Sequence, residues 1–248
     1  MHIRFRCDPA LAGHLERPRP AREALPAWLR DMPKAAFSDL HGTEVRTVKQ
    51  CPPFVDAMAH GFVMPLPCDV IVADGRLAWD WDLPTLAVDA HPRSPLSFHV
   101  PAQVAGTPLH DAGSAVVKFN SFWTIELEEG WSLFATHPVN RHDLPFRTLT
   151  GMVDADRFSD VGILFPALWV DPAFTGTLPR GTPVAQCFPV PRAPLDLSFE
   201  PLDAPGRDRY AATATALLGT KGHYRKAFRA KRSRSAGEGA AEAAEIEP

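Results

Sequence analysis

The segment His137-Pro138-Val139-Asn140-Arg141-His142-Asp143 gathers in seven residues the side chains that anion and metal chemistry use. Arg141 and Asn140 offer N–H groups that fit a carboxylate or phosphate, with Arg147 on the next strand. His137 and His142 flank a turn and Asp143 follows. Two imidazoles and a carboxylate can hold one iron while leaving positions for oxygen and substrate. Further on, Asp154 stands in Gly151-Met152-Val153-Asp154-Ala155-Asp156-Arg157-Phe158. A carboxylate at a hairpin there can act as general base or orient an attacking water. Cys51 beside Lys49 is a thiol with a cation nearby, the setting that lowers a thiol pKa, but the Pro52-Pro53 step after it reads as a rigid connection. The other histidines of interest, His91, His99 and His110, lie on earlier strands or loops. The sequence contains no H-x-H or H-x-D, and its only H-x-E is His14-Leu15-Glu16.

The elements that must position these groups are short. Ten strand-like runs, from EVRTVKQ at 44–50 to TPVAQCFPVP at 182–191, are rich in β-branched and aromatic residues, and some alternate in period two. Turn signals separate them, among them ADG at 73–75, EEG at 128–130 and LPRGT at 178–182. Proline numbers 26 in 248 residues, about twice the usual share, which works against long helices. Residues 9–37 read as a proline-interrupted arm with Trp28 and Leu29 as anchors. Residues 207–230 read as a helix broken near Gly219 and Gly222. Tryptophans 79, 81, 123 and 131 supply apolar walls, and Trp79 and Trp81 are expected on one strand face with Asp80 and Asp82 on the other.

GMVDADRF at 151–158 together with GTPVAQCFPV at 181–190 resembles the third and fourth motifs of the trimeric dUTPases. The resemblance covers about sixty residues and implies a β-clip-like topology and hydrolytic chemistry with magnesium. It would make Asp154 the water-orienting carboxylate, Gln186 a polar contact near phosphate and Phe158 a sugar-stacking aromatic. The pattern departs in four places, one being that no glycine-rich closing arm is recognised toward the C-terminus. Arg157 stands where the aromatic is expected, no Arg-Ser-Ser phosphate segment is present, and Thr182-Pro183 replaces the charged pair after the glycine. Across most of 45–192 the chain also resembles an uncharacterised family of bacterial and phage proteins. KQCPPFVDAMAHGFVMPLPCDV, FWTIELEEGWSLFATHPVNR, GMVDADRF and GTPVAQ carry that resemblance, which implies that these segments form one unit.

Composition bounds the rest. With 45% hydrophobic and 22% charged residues the chain can bury a core, and no run of about eighteen apolar residues suggests a membrane span. A net charge of −3 gives no global drive toward nucleic acid. The four cysteines, Cys7, Cys51, Cys68 and Cys187, form no C-x-x-C pair, and the charged start lacks a signal-like apolar stretch. A cytoplasmic protein with reduced thiols is expected.

The expected fold is mainly β: one barrel or jelly-roll/β-clip-like domain. An N-terminal arm (1–43) precedes a β-rich core (44–200), and a helical segment (201–230) and a disordered tail (231–248) follow. The expected function is an enzyme acting on a polar small molecule in a pocket built from 137–158 and 181–188. Asp154 would be base or water-orienter, Arg141 anion holder with Asn140, Phe158 and Gln186 as further contacts, and His137 acid/base. Two alternatives stand beside it. One is a cupin-like iron oxygenase using His137, His142 and Asp143. The other is a non-catalytic binding or assembly module, open to homo-oligomerisation, in which Asp154 only caps a turn.

Overall fold

The alternating runs become antiparallel ladders in the computed structural model, which describes residues 1–81, 83–86, 91–109 and 115–230. The first stretch holds β1 (Arg4–Arg6), β2 (Arg19–Pro20), the short helix α1 (Ala27–Asp31) and the hairpin β3 (Ala35–Ser38)–β4 (Thr43–Arg46). Next come α2 (Pro52–Ala59), β5 (Phe62–Pro65), β6 (Val70–Ala73), β7 (Arg76–Trp79) and β8 (Leu96–Phe98). The second half adds β9 (Val116–Asn120), β10 (Thr124–Glu126), β11 (Trp131–Thr136), β12 (Phe146–Thr148) and β13 (Gly151–Val153). It continues through β14 (Leu164–Trp169), β15 (Gly176–Leu178) and the long β16 (Pro183–Pro191), and closes with α3 (Ala204–Gly219) and a π-helical turn at Tyr224–Phe228.

Two larger sheets, ordered β13-β11-β16-β5-β2 and β12-β14-β9-β8, carry the fold, with smaller sheets β15-β6-β7, β1-β10 and β3-β4. Among the described residues each sheet is open and none closes into a barrel. One apolar cluster joins the large pair: Phe62 and Met64 of β5, Leu133 of β11, Phe119 of β9 and Phe165 of β14 are all buried in it. Burying that shared face is the main stabilising term of such a packing.

The N-terminal stretch is part of these sheets rather than a wrapping around them, because β1 pairs with β10 and β2 with β5. Leu29 is buried, while Trp28 is half-buried and spends its indole N–H on Asp143 Oδ1 at 3.4 Å. The β6–β7 hairpin closes on Asp74 and Gly75, both with positive φ (50° and 70°), as a two-residue turn of matching twist requires. Pro52 and Pro53, expected to mark a rigid connection, instead open α2. Proline is tolerated in the first turn because its missing N–H has no intrahelical partner to lose. Lys49 donates to the Arg30 and Met32 carbonyls at 2.6 and 3.1 Å, so its ammonium is committed to the end of α1.

β7 ends at Trp79, so the expected Trp79/Trp81 strand face does not form. Trp79 packs on the main cluster, whereas Trp81 joins a smaller one with Leu11, Leu15 and Phe122. Asp82, His110 and the expected tail at 231–248 lie outside the described residues.

The chain divides into two compact units, Met1–Leu195 and Asp196–Pro248. In the second, Asp203 caps α3 by accepting the Gly206 N–H at 2.6 Å, and the helix stops at Gly219. No helix among the described residues is long and apolar enough to cross a membrane.

Candidate functional site

The residues expected to share one pocket sit at opposite ends of β11. Ser132 lies near its start and Thr136 near its end, four residues or about 13 Å apart along an extended strand. Register places Gln186 across from Thr136 and Val153 across from Leu133. The 137–143 turn and Gln186 therefore gather at one end, and Asp154, Asp156 and Phe158 at the other.

At the first end the polar groups are bonded to the fold. Pro138-Val139-Asn140-Arg141 form a turn closed by the Arg141 N–H on the Pro138 carbonyl at 3.1 Å. Asn140 takes the left-handed position at φ 59°, which asparagine tolerates. His137 accepts the Thr148 N–H on Nδ1 at 3.2 Å and donates from Nε2 to the Arg141 carbonyl at 2.6 Å. Both ring nitrogens are thus occupied in the neutral tautomer, and burial, with Arg147, His142 and Arg141 nearby, pushes its pKa down. Arg141 grips Asp143 in a fork, Nε to both oxygens at 2.8 and 3.1 Å and Nη2 to Oδ2 at 2.9 Å. Burial raises the Asp143 pKa, and the Arg141 bonds outweigh it and hold the carboxyl below its usual range.

Gln186, 2% exposed, accepts the Val139 N–H on Oε1 at 2.9 Å. Its amide nitrogen donates to the Ala57, Met58 and His60 carbonyls at 3.0, 3.4 and 2.7 Å. These are the open carbonyls at the end of α2, so the side chain expected beside a phosphate closes a helix and a loop together. His137, His142 and Asp143 form no group able to hold a metal, and among the described residues no cluster of three or more His, Cys, Asp or Glu does. Of the donor set of the iron reading, His137 is spent on backbone and Asp143 on Arg141, while His142 is exposed.

At the second end, Asp154 Oδ1 accepts the Ser132 hydroxyl at 2.6 Å and Arg192 Nη1 at 3.3 Å, with its side chain 55% exposed. Its backbone carbonyl accepts the Arg157 and Phe158 N–H groups at 2.9 and 2.8 Å, which fixes the turn. Asp156 is the better-held carboxylate. It takes both Arg192 terminal nitrogens and the Gly130 N–H at 2.9 Å, and the Arg192 bonds hold its pKa well below the carboxylate range. Phe158 is half exposed to solvent.

A cavity of about 430 Å³ lies elsewhere, between the residues after β1, the β9–β10 connection and the 159–162 segment. Cys7, His91, Phe122, Thr124 and Asp160 line it. Thr124 Oγ1 is buried with no hydrogen-bond partner among the described residues, although buried hydroxyls usually have one. His91 packs on Phe122 with the rings tilted by 38° and centroids 5.3 Å apart, and bonds the Pro92 carbonyl through Nδ1 at 3.0 Å. Arg6 reaches the rim but is paired with Glu126 at 2.7 Å. Burial, then Asp8, pushes the Cys7 thiol pKa up, so it stays protonated near neutral pH. Gly162 is required in the floor, since a Cβ there would stand 2.1 Å from the Ser121 carbonyl oxygen.

Sequence reading passed over this wall because its members come from four separated segments with no common spacing. No protein-family model matches the chain, and no curated protein matches it either.

Proposed function

We propose that this chain binds a polar small molecule in the 430 Å³ cavity beside Thr124, and that the 137–158 and 181–188 segments are the scaffold that holds the cavity's walls. The observation that carries this reading is a cavity of ligand size whose wall brings Thr124, His91 and Asp160 beside the Phe122 ring, with the Thr124 hydroxyl buried next to it and unbonded among the described residues. At the first end of β11, His137, Gln186, Arg141 and Asp143 are already bonded to the fold or to one another. Pockets for small molecules combine an apolar wall with a few convergent polar groups. Here Phe122 and Leu86 give the wall, and Thr124, His91 and Asp160 give the polar groups. Arg6 shares the single Glu126 carboxylate with Arg4, and the wall itself sets Asp8 and Asp160 against Arg6, one negative charge in excess. The fitting ligand is rich in N–H and O–H donors, such as an amine or an amino sugar.

A jelly-roll- or β-clip-like arrangement of the two larger sheets belongs to the same proposal, supported by the apolar cluster they share. The test is a thermal-shift and calorimetric screen of amines, amino sugars and nucleosides on the whole chain. A ligand should raise Tm and bind at least tenfold more weakly to Asp160→Asn. Binding unaffected by Asp160→Asn and by Thr124→Val contradicts the reading.

A further inference from the structure

After β16 the chain runs from Arg192 to Asp203 with no helix or strand. Pro194 and Pro201 bracket the six residues Leu195-Asp196-Leu197-Ser198-Phe199-Glu200. Proline restricts its own φ and keeps the residue before it out of the helical region, so neither side extends a helix into this stretch. Its apolar and polar residues alternate, and the apolar ones are bare: Leu195 is 87% exposed, Leu197 72% and Phe199 90%. Single exposed leucines are ordinary. Three apolar side chains in period two, with Leu202 following at 56%, form a ridge that the described residues leave exposed.

The first unit carries a surface of the opposite shape. A groove of about 270 Å³ is lined by Leu77 and Trp79 of β7, Phe98 of β8, Val117 of β9 and Trp169 of β14, all apolar. Phe98 stands half exposed at its rim. β7 and β8 are the outer strands of their sheets, so their outer edges pair with no strand among the described residues. An edge of that kind accepts an extended segment by backbone hydrogen bonds while alternate side chains enter pockets. Arg76, exposed at the start of β7, offers a cation to the Asp196 and Glu200 that alternate with the arm's apolar residues.

We infer that the 195–200 arm docks in the β7/β8 groove of a second copy of this chain. The match is of alternation with an edge, apolar ridge with apolar groove, and acid with arginine. Every copy brings one arm and one groove, so two copies can exchange arms around a two-fold axis and leave neither surface open.

Sedimentation velocity of the full chain over a hundredfold concentration range tests this, with two variants at exposed positions, Phe199→Asp in the arm and Phe98→Asp at the groove rim. The expected result is a dimer whose dissociation constant rises at least tenfold in each variant, with the Tm of the dilute monomer unchanged. An equimolar mixture of the two variants should associate more tightly than either alone, because one intact arm then meets one intact groove. A chain that stays monomeric throughout, variants that associate like the parent, or a mixture no better than its components each overturn the inference.

Discussion

The Val139 N–H donates to Gln186 Oε1 at 2.9 Å, and the same side-chain amide carries the last carbonyls of α2 on its nitrogen. One buried residue thereby ties the 137–143 turn, the central strand of the larger sheet and a helix end. A side chain engaged at every polar atom has nothing left for a phosphate.

Gln186→Leu keeps the volume and removes all of these bonds, leaving Val139 and the α2 carbonyls without partners. Stability should fall by about 2–4 kcal/mol, the cost of several buried groups left unsatisfied. Urea unfolding with an unchanged slope checks this, and a loss below about 0.5 kcal/mol would show that the bonds are easily replaced.

His137 is held neutral, with its folded pKa below the ordinary value. The unfolded chain therefore binds the proton more readily. The stability tied to this ring is complete above about pH 6.5 and is lost as pH falls from there toward the lower folded value. His137→Gln should flatten stability between pH 7.5 and 5 while the parent declines. A parent profile level over that window would contradict the assigned tautomer.

Asp156 behaves in the acid range. Its carboxyl, held ionised by Arg192, contributes stability that is present above about pH 3.9 and is lost as pH falls through that value toward its lower folded pKa. Asp156→Asn should move the acid-unfolding midpoint upward and do so less at high salt. Asp154→Asn, at the more exposed carboxylate, should shift it less.

Thr124→Val removes a buried wall hydroxyl that has no partner among the described residues and keeps the shape. The ligand-free protein should gain up to about 1 kcal/mol, since a desolvated, unpaired hydroxyl is replaced by a methyl. Chemical denaturation reads this directly. A loss of more than about 1 kcal/mol would mean that the hydroxyl has a partner in solution.

Much of the architecture was legible because it rests on local chemistry. The alternation in VIVADGRLAW, the Asp74-Gly75 turn and the glycines that end α3 each gave an element where it stands. β1, β2 and β15 were not legible. Two or three residues carry no period, and pairing with distant strands makes them strands. α2 was hidden by its own prolines, which mark a helix start as readily as a break. The site failed for a related reason. His137, Asn140, Arg141 and Gln186 have the residue types of a binding loop, but the same types close turns and cap helices, and only tertiary partners decide between the roles. The cavity wall was invisible because Cys7, His91, Thr124 and Asp160 meet by folding alone.

Backbone-amide chemical-shift mapping during titration of the isotope-labelled full chain with the tightest ligand from the amine and amino-sugar screen locates the bound molecule. The largest shifts should fall on residues 121–124 and 160–162 and on His91. Shifts concentrated instead on 137–143 or on Asp154, Asp156 and Arg192 would return the site to the ends of β11 and contradict the account.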